Sequence, residues 1–349
     1  MTLINDTRRI DHKTWIGILD GLSLRDKLRR ATNIIIKVNF ASGTSADPQK
    51  HIISDLKFLA DIIENIAEIN PAAVIYIAES DSTGYGFAYL KFDHLDLPGS
   101  LGLRESVLAC VRLLDLSRDK IVKMQSKQFR YFNNSDRQLW LSETLMTADF
   151  IISLSNLKTH SITAYTGACK NLFGCLPDFD KSIYHPYIHK VIHDVTLAVR
   201  PALNIVDAFY GMERNGPCLG SDISLGYRVF SDNPLEADIN ATLSVGIKPS
   251  SVKYIRFLSK STGLLMTKEG IKYNGNVTVL RKPQLFLRVM NFLGLLAQRI
   301  GQGISSFGHS IHTCNNPIVL AVTIARPLLI KLFDVDKLKS LKKKFNKWY

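Results

Sequence analysis

Short runs of β-branched and apolar residues recur along this chain with longer amphipathic stretches between them, and that alternation restricts the folds open to it. The runs are NIIIKVNF (33–40), AVIYIAES (73–80), DFIISLSNL (149–157), LNIVDAF (203–209), YRVFSD (227–232) and NVTVL (276–280). Most are near-continuously apolar, where a strand with one wet face would alternate. Segments such as ISDLKFLADIIENIAEI (53–69) carry the helical repeat of apolar residues that would cover such strands. The expectation is an α/β fold: a mostly parallel sheet with helices on both faces. With 349 residues, 46% of them hydrophobic, the chain can bury a full core.

In sheets of this kind ligands sit where strand C-terminal ends give way to loops, because those loops converge above the sheet. Polar residues gather at these ends: Asn39, Glu79-Ser80-Asp81-Ser82, Lys158-Thr159-His160, Asp207 and Asp232-Asn233. If the strands are parallel, one rim collects them all. The densest group is NLKTHSITAYTGACKNLFG (156–174). A Thr166-Gly167 step opening a short helix leaves backbone N–H groups and a positive dipole end facing an anion. Lys158 and Lys170 add point charges, Thr159, Thr163 and Thr166 add hydroxyl donors, and Asn171 follows at once. A phosphate or carboxylate is the expected guest. The glycine order is neither a Walker loop nor a dinucleotide fingerprint, and a plain helix cap with solvated lysines would leave the same letters.

Downstream, His185, His189 and His193 recur at every fourth position and fall on one side of a helix. Two imidazoles so spaced can share a metal; boundary histidines on an amphipathic helix are the alternative. His185, nearest the 156–174 loop, is the candidate ligand, with Asp207 as an oxygen donor for a divalent metal. The candidate catalytic groups are His160 or His185 as proton carrier and Glu213 or Asp207 as base; Gly216-Pro217 and Gly220 make a turn that can bring Glu213 over the rim. Cys169, near the helix opening and Lys170, is the one thiol placed for a lowered pKa, yet no nucleophilic triad can be read from the sequence.

These stretches together resemble the family known as domain of unknown function 362, over roughly residues 31–280. Its pattern, Lys-x-His followed by Thr-Gly-Ala-x-Lys-Asn-x-Phe-Gly, is matched by LKTHSITAYTGACKNLFG, with IKVNF, AESDS, His185, VDAFYGMERNGPCLG and SDNPLEADINATLSVG in support. The resemblance implies that Lys158, His160, Thr166, Gly167, Lys170, Asn171, Asp207 and Glu213 belong to a shared pattern, but it supplies no activity. Some members carry ferredoxin-type modules. The five cysteines here (Cys110, Cys169, Cys175, Cys218, Cys314) lack that spacing, so no iron–sulfur cluster is expected, nor any structural disulfide.

The charge of +13 belongs largely to one end. From Arg281 onward there are 12 Lys and Arg against 2 Asp and Glu, so the first 280 residues carry a net of only +3. This step and Lys282-Pro283 suggest an α/β domain over 1–280 and a basic helical extension over 281–349. In KLKSLKKKFNKWY, Leu338, Leu341, Phe345 and Trp348 line one side of a helical projection with lysines over the rest. That pattern suits an anionic membrane surface met by residues 334–349, or docking on the core; nucleic acid is a weaker fit, with few stacking rings. No run reaches the ~18–20 apolar residues of a spanning helix, and MTLINDTRRIDHKTW has no signal-peptide core. A cytoplasmic location, at the inner face of the membrane if the tail binds it, is expected. The leading functional reading is an enzyme acting on an anionic small molecule at 156–174; the alternative is a non-catalytic ligand-binding or membrane-peripheral accessory protein.

Overall fold

A computed structural model describes residues 2–5, 9–40, 53–81, 97–160, 162–214, 216, 220–264, 266 and 280. The chain divides into two compact units, Met1–Leu287 and Arg288–Tyr349. The basic tail, Cys218, Cys314 and all but Leu280 of the expected strand 276–280 lie outside the described residues.

The principal sheet has the order β1-β10-β9-β7-β2-β3-β4, with β8 paired to β7. These strands are β1 (Thr2–Asn5), β2 (Asn33–Lys37), β3 (Val74–Glu79), β4 (Val111–Asp115), β7 (Phe150–His160), β8 (Ala164–Thr166), β9 (Leu203–Glu213) and β10 (Ser221–Ser231). A separate antiparallel pair, β5 (Ile121–Met124) and β6 (Leu139–Ser142), brackets the polar, turn-rich stretch QSKQFRYFNNSDRQLW (125–140). The run β9-β7-β2-β3-β4 is parallel throughout, as expected of strands buried on both faces.

Helices cover both sides. One face takes α1 (His12–Gly21), α2 (Arg25–Arg30) and α3 (Leu56–Ile69), whose Trp15, Leu19, Leu28, Phe58, Ile62 and Ile66 pack on Ile34, Ile36, Ile75, Ile152 and Ile205. The other takes α4 (Ala168–Asn171), α5 (Ile188–Val199), α6 (Pro234–Ser244) and α7 (Lys253–Thr262), packed on Ile35, Ile151, Val206, Ala208 and Val229. Side-chain alternation explains the division: odd and even residues of one strand serve opposite layers. Some of these helix starts are capped by side chains from the preceding residue, among them α3 by Asp55 to the Lys57 and Phe58 amides and α6 by Asn233 to those of Leu235 and Glu236. Each cap contributes about 1 kcal/mol.

One expectation about the rim is corrected. β10 runs antiparallel to β9, joined to it by a hairpin in which Glu213 pairs with Ser221. Its end, Asp232-Asn233, therefore falls at the edge opposite the C-terminal ends of β2, β3, β7 and β9, and Asn233 serves there as the α6 cap.

Candidate functional site

The C-terminal edges of β2, β3 and β7 are stitched together by buried polar groups. Lys37 and Glu79, 1% and 4% exposed, form an ion pair at 2.7 Å. Glu79 also accepts the backbone N–H groups of Phe40 and Ser80, both at 2.9 Å. A buried charge pair persists only when its remaining hydrogen-bonding positions are filled. Lys158, also 1% exposed, donates from Nζ to Asn39 Oδ1 at 2.9 Å, and Asn39 Nδ2 donates to Asn171 Oδ1 at 3.2 Å. Asn171 Nδ2 in turn reaches the Lys37 carbonyl and Ser153 Oγ, each at 3.1 Å. Two of the motif's polar residues thus join β2, β7 and α4.

The Thr166-Gly167 step does open a helix, but α4 is four residues long and its opening is already filled. Asp238 of α6 accepts the N–H groups of Ala168 at 2.6 Å and Cys169 at 3.1 Å, with the Tyr165 and Tyr254 hydroxyls each at 3.3 Å. The sequence calls for an anion here, and the chain supplies its own. A Cβ on Gly167 would lie 2.1 Å from the Tyr165 hydroxyl and 2.3 Å from Asp238 Oδ1, so this glycine lets the carboxylate close on the amides. Burial raises the Asp238 pKa to about 6 against the pull of its donors. The cradle drawn from Thr166, Gly167 and the α4 amides is therefore an internal joint.

Cationic and imidazole side chains gather around α4. His160 closes β7 opposite Ala164 in the β7–β8 hairpin. Its Nδ1 accepts the Ile162 and Thr163 amides at 3.1 and 3.4 Å, which assigns the ring proton to Nε2. Burial pushes its pKa well below 6.5, aided by Lys170, His185, Lys158 and His189. His185 falls to about 4 through burial and then Lys170, with Asp180 opposing. His189 falls to about 4 through burial, then Lys253, Arg256 and Lys170. It stacks on Tyr254 at 6.4 Å, and its buried Nδ1 has no hydrogen-bond partner among the described residues. The structure thus brings Lys158, His160, Lys170 and His185 into one electrostatic neighbourhood and adds His189, which its four-residue spacing from His185 would have nominated.

Other candidates fall elsewhere. Thr163 donates to the Tyr165 carbonyl at 3.0 Å and Thr159 to that of Arg214 at 3.0 Å, tying the hairpins to each other. Thr166 Oγ1 is buried with no hydrogen-bond partner among the described residues. Asp207 faces the α3 layer, 3.1 Å from Arg228 Nε, whose guanidinium lies 3.7 Å from the Phe58 ring centroid. Burial raises the Asp207 pKa while Arg228 lowers it. His185 belongs to the segment leading into α5 on the opposite face, so it and Asp207 cannot share one ion. Among the described residues no three His, Cys, Asp or Glu side chains converge as metal ligands. Glu213 ends β9, 2% exposed and 3.8 Å from Arg214 Nε. The turn after it rests on Thr159, whose carbonyl would stand 2.1 Å from a Cβ on Gly216. Cys169 is corrected as a nucleophile: burial, then the Asp238 charge, raise its thiol well above the ordinary value, and burial pushes Cys175 to about 12.

Comparison with known proteins bears on the family. A Synechocystis protein named thylakoid-associated protein sll1697 is 29% identical over 139 residues, 38% of this chain and 43% of that protein, so the chain spans less than half the length of this curated relative. Among solved structures, lactate racemase apoprotein from Thermoanaerobacterium thermosaccharolyticum aligns with 69% of this chain and 56% of its own at 10% identity and a TM-score of 0.41. A Thermotoga maritima protein aligns over 70% and 61% at 10% identity and 0.38. Among the described residues no helix is long and apolar enough to cross a membrane. A family profile matches residues 34–242, more than half of the chain and the whole span from β2 into α6. The chain belongs to the family described as Domain of unknown function (DUF362).

Proposed function

We propose that this protein binds an anionic small molecule beside Lys170, at the rim formed by the β7–β8 hairpin, α4 and the start of α5, and acts on it as an enzyme. The observation that carries the reading is the depression of three separate imidazoles, His160, His185 and His189, by burial and then by neighbouring cations, with Lys170 acting on all three and Lys253 and Arg256 ahead of it at His189. A region that disfavours protonated imidazole at three points favours a negative guest. Lys170 supplies the charge and His160, with Nε2 protonated, a neutral donor. Binding an anion raises the imidazole pKa values toward neutrality, and that places a general acid next to the guest. Glu213 stands as the candidate base at the neighbouring hairpin end. A divalent metal would need ligands outside the set the rim assembles, so the reading does not depend on one.

The test is calorimetric titration of the full chain with inorganic phosphate and with acetate. Affinity should rise as pH falls from 7 toward 5, with proton uptake on binding, and Lys170→Ala should weaken it at least about tenfold, the loss of one desolvated charge contact. Binding of both anions that is indifferent to pH and to Lys170→Ala would refute the reading. If binding responds but no turnover is lost in His160→Asn or Glu213→Gln, the protein is a ligand-binding accessory.

A second reading concerns location. The net +10 beyond residue 280 and the thylakoid-associated name of the Synechocystis relative favour a peripheral protein at the cytoplasmic face of a membrane, held by residues 334–349. Sedimentation with anionic vesicles should pellet the full chain and spare a 1–333 truncation; equal behaviour of the two refutes it.

A further inference from the structure

The histidine stripe has a third member that the Lys170 site does not use. His193, one turn beyond His189, is fully buried where α5 packs on α7. Its Nδ1 lies 2.7 Å from Asp194 Oδ1, and its Nε2 lies 2.8 Å from the Oγ of Ser261 in the last turn of α7. Asp194 is itself fully buried and accepts the backbone N–H groups of Arg130, Tyr131 and Phe132 at 2.7, 2.7 and 3.0 Å.

The proton positions follow from what each group can do. An ionised carboxylate only accepts, so the His193 nitrogen facing Asp194 carries the ring hydrogen and Nε2 presents a lone pair. A guanidinium only donates. Arg130 directs Nη2 at Ser261 Oγ at 3.3 Å and Nε at His193 Nε2 at 3.4 Å. Ser261 Oγ accepts from Arg130 with one of its two lone pairs and keeps its O–H for His193 Nε2, whose single lone pair it shares with the more distant Arg130 Nε–H. A hydroxyl so held has its proton aimed at a base whose far nitrogen is fixed by a buried acid, the relation that activates a serine. Ser261 and Arg130 are only half-buried, and Arg130 stacks over half-buried Phe257 at 5.0 Å, so the mouth offers an apolar ring and a cation.

The geometry points to a nucleophilic acyl-transfer site, separate from the Lys170 rim, in which Ser261 attacks a small carboxylic ester. Ser261 Oγ forms a bond to the carbonyl carbon, its proton passes to His193 Nε2, and the carbonyl π pair moves to oxygen beside the Arg130 guanidinium. Collapse of that intermediate breaks the bond to the alkoxide, which takes the proton from His193 and leaves as the alcohol. Water then attacks the acyl-serine, delivering a proton through His193 back to Ser261 Oγ and releasing the acid. The sum is ester and water to acid and alcohol. Ser261 and His193 are the catalytic residues, and Asp194 positions the imidazole.

The experiment exposes the full, folded chain to a fluorophosphonate probe and maps the adduct by peptide mass spectrometry, alongside hydrolysis of 4-nitrophenyl acetate. One adduct on Ser261 is expected, lost on prior heat denaturation and absent in Ser261→Ala, with hydrolysis falling at least about tenfold in that variant. Ser261→Cys should transfer the reactivity to iodoacetamide at neutral pH. Asp194→Asn should move the pH profile of hydrolysis, which a merely structural carboxylate would leave in place. No adduct on Ser261 in the wild-type fold, or hydrolysis equal in wild type and Ser261→Ala, overturns the proposal.

Discussion

Replacing Gly167 by alanine tests whether the α4 opening is an internal joint or a vacant cradle. The backbone there has φ −159° and ψ −145°, extended in φ, so conformation alone does not demand glycine. Space does. The added Cβ would stand 2.1 Å from the Tyr165 hydroxyl oxygen, 2.3 Å from Asp238 Oδ1 and 2.6 Å from Tyr165 Cζ. Neither neighbour has room to retreat, since both are fully buried. Moving Asp238 away sacrifices its bonds to the Ala168 and Cys169 amides, about 1.5–3 kcal/mol each for a charged acceptor, and overpacking adds about 1–3 kcal/mol. Toward the low end of the resulting ~4–9 kcal/mol the cost is about 5 kcal/mol, a large part of the ~5–15 kcal/mol that holds a domain folded. At ~2–4 °C per kcal/mol for a domain of this size, thermal unfolding should move down by about 10–20 °C. Tyr165→Phe removes the nearest atom, so Gly167→Ala in that background should recover about 1 kcal/mol or more of coupling. In an open cradle, Gly→Ala would instead stabilise by about 0.4–1 kcal/mol through the unfolded chain. A melting temperature within about 3 °C of wild type, or above it, would refute the reasoning.

Asp207→Ala should cost about 3–5 kcal/mol in urea unfolding by leaving the Arg228 guanidinium buried without its carboxylate, and Asp207→Leu with Arg228→Met should recover most of it; a loss of turnover at unchanged stability would contradict this placement. His185 and His189 hold folded pKa values of about 4 against 6.5 when unfolded, so the unfolded chain takes the proton first. Their contribution is intact above pH 6.5 and is lost as pH falls toward 4, up to about 3 kcal/mol each. Asp238, raised from 3.8 to about 6, works the other way: the folded form protonates first, and stability is added as pH falls from 6 toward 3.8. His160, also held well below 6.5, adds to the histidine loss, and Asp207, raised by burial, acts with Asp238. His185→Gln with His189→Gln should therefore make the change in stability from pH 6.5 to 4 less unfavourable than in wild type; a slope unchanged by that double variant would count against the assignment. Lys170→Met should raise the pKa of His160, His185 and His189 together in an NMR titration, and no movement in any of them would sink the shared-field reading.

How much of this was legible in the sequence depends on whether an interaction leaves a local trace. The β2, β3, β7 and β9 runs announced a parallel core because strands buried on both faces lose their alternation. The direction of β10 left no such trace, since an apolar run reads alike either way along a sheet; only the hairpin that pairs Glu213 with Ser221 settles it. The need for an anion at Thr166-Gly167-Ala168 was written locally, in a glycine that admits close approach and in free amides. The identity of that anion was not, because Asp238 arrives from 70 residues away. Ser261 and His193 meet across 68 residues with no spacing rule to join them. The same logic sorts the family pattern. Gly167 and Asn171 answer to buried partners, Lys158 donates to Asn39, and Asp207 is matched by Arg228, so these positions satisfy the interior before any guest arrives. The imidazoles gathered near Lys170 differ: burial and neighbouring charge both work against their protonation, a penalty that appears below pH 6.5 and that a bound anion would relieve. Groups whose charging the fold opposes in this way are where an anion has the most to add, and that asymmetry separates the rim from the joints beneath it.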